Sequence, residues 1–111
     1  MALDFTHIKG DTFEAVNFQM LVNTVPLNLT GATLKMQLRK EYGGIVYLSL
    51  TSVASAGITI TTPASGLFKI NKQIINIDAG NYIYDIELDK SGGDIKTYIS
   101  GNFLITNDVT R

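Results

Sequence analysis

Strict alternation of apolar and polar side chains over residues 33–40 is the feature that constrains this chain most. Leu34, Met36 and Leu38 fall on one face of an extended backbone, and Lys35, Gln37 and Arg39 fall on the other. A period of two marks a strand with one buried and one wet face. The pattern returns over residues 81–88, with Tyr82, Tyr84, Ile86 and Leu88 on one side and Asp85, Glu87 and Asp89 on the other. Each segment runs into glycines that permit a tight turn, so each predicts a hairpin. The first turns at residues 41–44 and returns over 45–50. The second turns at Lys90-Ser91-Gly92-Gly93 and returns over 94–100, with a kink or bulge expected at Gly101 before 102–106 resumes.

Shorter strands are expected between and before these hairpins. Residues 12–22 place Val16, Phe18, Met20 and Val22 on one side and end in a Pro-marked turn, Asn23-Thr24-Val25-Pro26. Residues 57–61 and 67–71 flank a Pro63-Ala64-Ser65-Gly66 turn, and 5–9 suit a short edge strand. Residues 71–78 offer at most a single helical turn. Seven or eight short strands at this spacing predict an all-β, antiparallel, immunoglobulin-like sandwich, with a closed barrel as the competing architecture. The 111 residues suit one domain, with a core over 10–106 and terminal arms at 1–9 and 107–111.

One constellation sharpens the sandwich reading. Asp78-Ala79-Gly80-Asn81-Tyr82-Ile83-Tyr84 has the Asp-x-Gly-x-Tyr form of a tyrosine corner, in which the ring packs in the core and the hydroxyl bonds a backbone group upstream. Tyr84 then stands where an antibody domain carries its second cysteine. With no cysteine and no tryptophan, the antibody hallmarks themselves are absent.

Composition removes several function classes. Without cysteine there is no disulfide scaffold, thiolate zinc site or cysteine nucleophile. A single histidine, His7, argues against a His-based catalytic pair, and a net charge of −1 gives no field to gather nucleic acid or an anionic membrane. No apolar run reaches the length of a bilayer span, and the opening Met1-Ala2-Leu3-Asp4-Phe5 lacks the pattern of a secretory signal, so an intracellular start is expected.

The remaining candidates read mostly as structure. Asp85, Glu87 and Asp89 share a strand face, but same-face neighbours lie about 7 Å apart along a strand, too far for one straight row to converge on Ca²⁺. Gly43-Gly44 and Gly92-Gly93 precede strand residues, not the Lys-Ser/Thr helix start of a phosphate loop. Lys35, Arg39 and Lys40 form a solubilising face. Tyr42, at a hairpin tip, and Tyr47 are positioned to anchor a partner or to fold back over the sandwich end. No catalytic residue, metal ligand or cofactor-binding residue is assigned, and an enzyme is not expected.

Taken in order, Gly10-Asp11-Thr12-Phe13, then Pro26-Leu27-Asn28-Leu29-Thr30-Gly31-Ala32-Thr33-Leu34, then Gly57-Ile58-Thr59-Ile60, Gly66-Leu67-Phe68-Lys69-Ile70 and Gly80-Asn81-Tyr82-Ile83-Tyr84-Asp85-Ile86 form a series. Over most of residues 10–106 this series resembles the immunoglobulin-like domain at the N-terminus of phage baseplate upper proteins and related small phage and prophage virion proteins. The resemblance implies a non-enzymatic attachment module acting by protein–protein contact, at a baseplate or fibre or as a capsid or head–tail auxiliary. It implies other virion proteins as partners, symmetric multiple copies, no nucleic acid, no membrane, and a protein made in the host bacterial cytoplasm and carried in the virion. In baseplate upper proteins a fibre-forming region follows this domain, whereas here the sequence stops at Arg111, which suggests a free-standing module or another station on the particle. The expected contact residues are Phe5, His7, Tyr42, Tyr47 and Val109, and the structural ones Gly31, Gly80, Tyr82 and Tyr84. The alternative is a carbohydrate-binding adsorption module using Tyr42, Tyr47 and Tyr98.

Overall fold

The computed structural model describes residues 3–90 and 95–107. Among them lie strands β1 (Phe5–Ile8), β2 (Thr12–Phe13), β3 (Val16–Gln19), β4 (Leu21–Val22), β5 (Val25–Pro26) and β6 (Thr33–Arg39). They continue with β7 (Leu48–Thr51), β8 (Ile58–Thr62), β9 (Leu67–Ile70), β10 (Gln73–Ile74), β11 (Gly80–Asp89) and β12 (Ile95–Thr106). A 3₁₀ turn at Pro63–Ser65 and a turn at Val53–Ser55, with Ala54 and Ser55 both left-handed (φ 54°), join the strands around β8.

A five-stranded sheet in the order β1-β12-β11-β6-β7 faces a three-stranded sheet in the order β3-β9-β8. This is an immunoglobulin-like β-sandwich, and its two main sheets hold eight strands. The small pairs β2/β10 and β4/β5 are satellites. The buried stripes are those the alternation marks. Leu34, Met36 and Leu38 of β6 and Tyr82, Tyr84, Ile86 and Leu88 of β11 are each at most 4% exposed. They meet Phe18, Phe68, Ile58 and Ile70 from the smaller sheet in one cluster. Burying each such side chain stabilises the fold by roughly 1.5–3 kcal/mol. Phe18 and Phe68, register partners on β3 and β9, stack with ring centroids 5.1 Å apart.

The turn into β6 is built as its residues suggest. Leu29 is buried, the Asn28 side chain accepts from the Thr30 N–H at 2.9 Å, and the Ala32 N–H returns to the Leu29 carbonyl. Gly31 supplies the left-handed step, φ 76°, that releases the chain into β6.

Several local expectations are corrected. The return arm of the first hairpin begins at Leu48, not Ile45, because Arg39 Nη1 donates to the Gly44 carbonyl and ties residues 40–47 into a loop. Residues 12–22 break into β2, β3 and β4, and Val22 is exposed rather than core. The turn after it is the pair Asn23-Thr24, both left-handed (φ 51° and 65°), which joins β4 to β5 as a two-residue hairpin connection. Pro26 belongs to β5 and to no turn. Residues 71–78 form no helix; Gln73–Ile74 pairs with β2 instead. The Lys90–Gly93 turn lies partly outside the described residues. The bulge falls opposite Ile86/Glu87, leaving Gly101 inside an unbroken strand.

The N-terminal segment, placed in an arm over 1–9 with a short edge strand expected at 5–9, does supply an edge strand of the larger sheet, but with an unexpected direction. Residues 5–8 form a strand pairing parallel to β12, from Phe5↔Phe103 to Ile8↔Thr106, so the five-stranded sheet is not wholly antiparallel. The Leu3 N–H donates to the Ser100 carbonyl and the Lys9 N–H to Thr106. Gly101 is needed because the Leu3 backbone lies where its Cβ would stand. Gly101→Ala is therefore expected to displace β1 and to cost about 1–3 kcal/mol in urea unfolding. Hydrogen exchange should show the lost protection concentrated in residues 3–9, with β6 and β11 retaining theirs.

Candidate functional site

Two buried phenols position everything at the end of the sandwich where β11 starts. Tyr82 is wholly buried and its hydroxyl donates to the Asp78 carbonyl at 2.5 Å, the geometry of a tyrosine corner. Tyr47 packs edge-on against its ring, with centroids 5.3 Å apart, and Lys40 Nζ lies 5.2 Å from the Tyr47 centroid and 5.7 Å from that of Tyr82. Tyr47 therefore folds back onto the domain. Gly80 opens β11 beside the Lys40 side chain. Lys9 Nζ, 3.5 Å from Asp78 Oδ1, brings the end of the N-terminal segment to the same corner.

Tyr84 locks the N-terminal strand. Its hydroxyl donates to the Leu3 carbonyl, and its ring packs against Phe5 (centroids 5.6 Å apart) and Phe103 (6.3 Å). Phe5 also meets Phe13 and Phe103, so its ring is occupied inside the protein. His7 is half-buried, with Nε2 3.0 Å from the Asp11 carbonyl and its ring edge-on to Phe13. Phe5, His7 and Tyr47, three of the expected contact residues, thus each make ring contacts within the domain, with Phe5 and His7 part-buried. Val109 lies outside the described residues, and for Tyr98 only the strand position is described.

Tyr42 stands apart, 93% exposed at the tip of a turn closed by the Gly44 N–H to the Glu41 carbonyl. Beside it, the outer face of the five-stranded sheet carries a shallow open depression of about 630 Å³. Sequence reasoning found no cleft, because this one is assembled by register from three strands. One row across the sheet is Gln37–Asp85–Ser100, and the next is Arg39–Ile83–Asn102. Tyr42 lines one part of the depression and Asp4 another, with Glu87 extending its floor. Arg39 is fixed by its bond to the Gly44 carbonyl at 2.9 Å and by Nη2 to Gln37 Oε1 at 3.0 Å. No ion pair joins Asp85 or Glu87 to another described residue. Among the described residues no group of three or more His, Cys, Asp or Glu side chains is placed to hold a metal ion.

A second surface is apolar. The β4–β5 hairpin exposes Leu21 (48%), Val22 (40%) and Val25 (62%), and its base is bonded to the Pro63–Ser65 turn through Met20 N–H to the Gly66 carbonyl and Leu29 N–H to the Pro63 carbonyl. At Gly66 (φ 70°) a Cβ would come within 2.6 Å of the Met20 carbonyl, so only glycine lets the hairpin seat this closely. Ile45 (75%) and Val46 (37%) are exposed on the loop after Tyr42.

Burial, with Asp4 beside it, pushes the Tyr84 phenol from an ordinary 10.0 up to about 12. Tyr82 is raised as well, by burial first and then by Asp78 and Tyr47. A phenol that the fold holds protonated contributes stability that is complete below pH 10 and is lost as pH rises towards about 12. Tyr84→Phe should lower stability at neutral pH by about 1 kcal/mol, through the lost bond to Leu3. The same variant should flatten the loss of stability between pH 10 and 12; urea unfolding across that range checks both effects.

Neither a family model nor a curated protein matches the sequence. Among solved structures the chain is similar to CopC from Methylosinus trichosporium OB3b, at 10% identity and a TM-score of 0.48, covering 93% of this chain and 84% of that one. It is also similar to murine CRIg, at 12% identity and a TM-score of 0.36, covering 95% of this chain and 92% of that one. At this level of likeness neither neighbour bears on function. The immunoglobulin-like assignment stands on the strand order and the tyrosine corner of the chain itself.

Proposed function

We propose that this protein is a non-enzymatic structural and assembly component of a tailed phage or prophage virion, acting by protein–protein contact. Its station is a baseplate or fibre attachment point, or an auxiliary position on the capsid or head–tail connection. Other virion proteins are its partners, and it is used in symmetric multiple copies after synthesis in the cytoplasm of the host bacterium. The motif series over residues 10–106 supplies the phage reading.

The observation that carries the contact mechanism is the placement of apolar surface. Leu21, Val22 and Val25 are exposed on the β4–β5 hairpin while the core beneath is closed. The surrounding sequence is also free of charge: no Asp, Glu, Lys or Arg occurs from Ala15 to Leu34 or from Tyr42 to Phe68. Depletion of charge around exposed aliphatic side chains is the composition of an interface centre. The contact surface is accordingly the β4–β5 hairpin with the Pro63–Ser65 turn beneath it.

Mass spectrometry of purified particles tests the reading directly, with the protein expected as a stoichiometric component. The double variant Leu21→Asp, Val25→Asp should keep the wild-type circular dichroism spectrum and lose incorporation by roughly ten-fold or more, as removal of an interface anchor does. A protein missing from purified particles, or incorporation unchanged in the double variant, would count against it.

A further inference from the structure

We infer that the depression on the outer face of the five-stranded sheet is a binding site for a short neutral saccharide. Its floor is a tile two rows deep and three strands wide. Gln37, Asp85 and Ser100 form one row, and Arg39, Ile83 and Asn102 the other. Strands are spaced about 4.8 Å apart and same-face residues about 7 Å along a strand, so the tile matches one to two pyranose rings.

The chemistry of the tile is that of polyol recognition. Carboxylates accept hydrogen bonds from vicinal hydroxyls, while guanidinium and carboxamide groups donate to hydroxyl and ring oxygens. Asp85 carries no ion pair to another described residue that a sugar would have to break. Arg39 is held in place by the Gly44 carbonyl and Gln37, which use only two of its donors. A donor fixed in advance loses little entropy when a ligand arrives. The turn that fixes Arg39 also carries Tyr42, whose exposed ring offers a flat apolar face to sugar C–H groups, with Ile83 as the apolar patch in the floor.

The charge balance selects the ligand further. Asp4, Asp85 and Glu87 stand against Arg39 alone in the lining. Uronic, sialylated or phosphorylated sugars would meet net repulsion, so the fitting class is neutral. The site shares no residue with the β4–β5 hairpin. Because the test uses the isolated full chain, its failure would leave the virion reading standing, and the reverse also holds.

The test is a saccharide array of neutral and acidic oligosaccharides, followed by amide-resolved NMR titration of the full chain with the neutral hits at millimolar concentration. Binding should move the amides of Ile83, Asp85 and Asn102 and leave those of Leu21 and Val25 in place. Tyr42→Ala and Asp85→Asn, both at exposed positions, should each weaken binding by about ten-fold while the spectrum stays folded. The inference fails if no neutral saccharide binds, if only acidic ones do, or if both variants bind as the wild type does. It fails equally if an oligolysine probe moves these amides while every sugar leaves them unmoved.

Discussion

Register along β11 is the constraint on which the rest of the structure depends. This strand is hydrogen-bonded to β6 on one side and β12 on the other, and it presents Tyr82, Tyr84, Ile86 and Leu88 inward as one stripe. A slip of one residue against either neighbour would turn Asp85 and Glu87 into the core and bring four large side chains into water. Burying unpaired carboxylates costs several kcal/mol each, so the competing registers are excluded by energies comparable to the whole stability of a small domain. The same register that closes the core composes the outer face: Gln37, Asp85 and Ser100 become neighbours because Met36, Ile86 and Ile99 are aligned on adjacent strands.

This explains which parts of the protein could be read before its structure was known. β6 and β11 are legible because each is half-buried and its pattern is local. Tyr82 is legible because the corner motif places its acceptor, Asp78, only four residues upstream. The parallel docking of β1 is not, since it rests on a Tyr84 hydroxyl reaching a carbonyl 81 residues away. Nor is the loop over 40–47, which looks like strand by composition until Arg39 is seen to bind Gly44. Val22 misleads for a related reason: period two continues through it, yet the left-handed Asn23-Thr24 pair lifts it off the core. The polar tile was beyond local reading because its six residues come from three strands.

The two halves of the sandwich also divide the chemistry between them. The outer face of the five-stranded sheet carries Lys35, Arg39, Asp85, Glu87 and Asp89, whereas the three-stranded sheet has Lys69 as its charged residue. Such a partition leaves one side of the sandwich charged and hydrated and the other nearly free of charge, without either compromising the shared core.

The late closure of the N-terminal strand sets the order in which this domain can be built. Asn102 N–H binds Asp4 Oδ1 across 98 residues, and the β1–β12 ladder spans nearly the whole chain. Contacts of such long sequence separation carry the greatest loop-closure entropy and form after local hairpins. On a ribosome, β1 emerges first and must wait unpaired until β12 has been synthesised. From the moment β12 is made until β1 docks on it, the β12 edge is open to strands of other nascent chains, so the docking of residues 3–9 covers an edge prone to misassociation as well as adding stability.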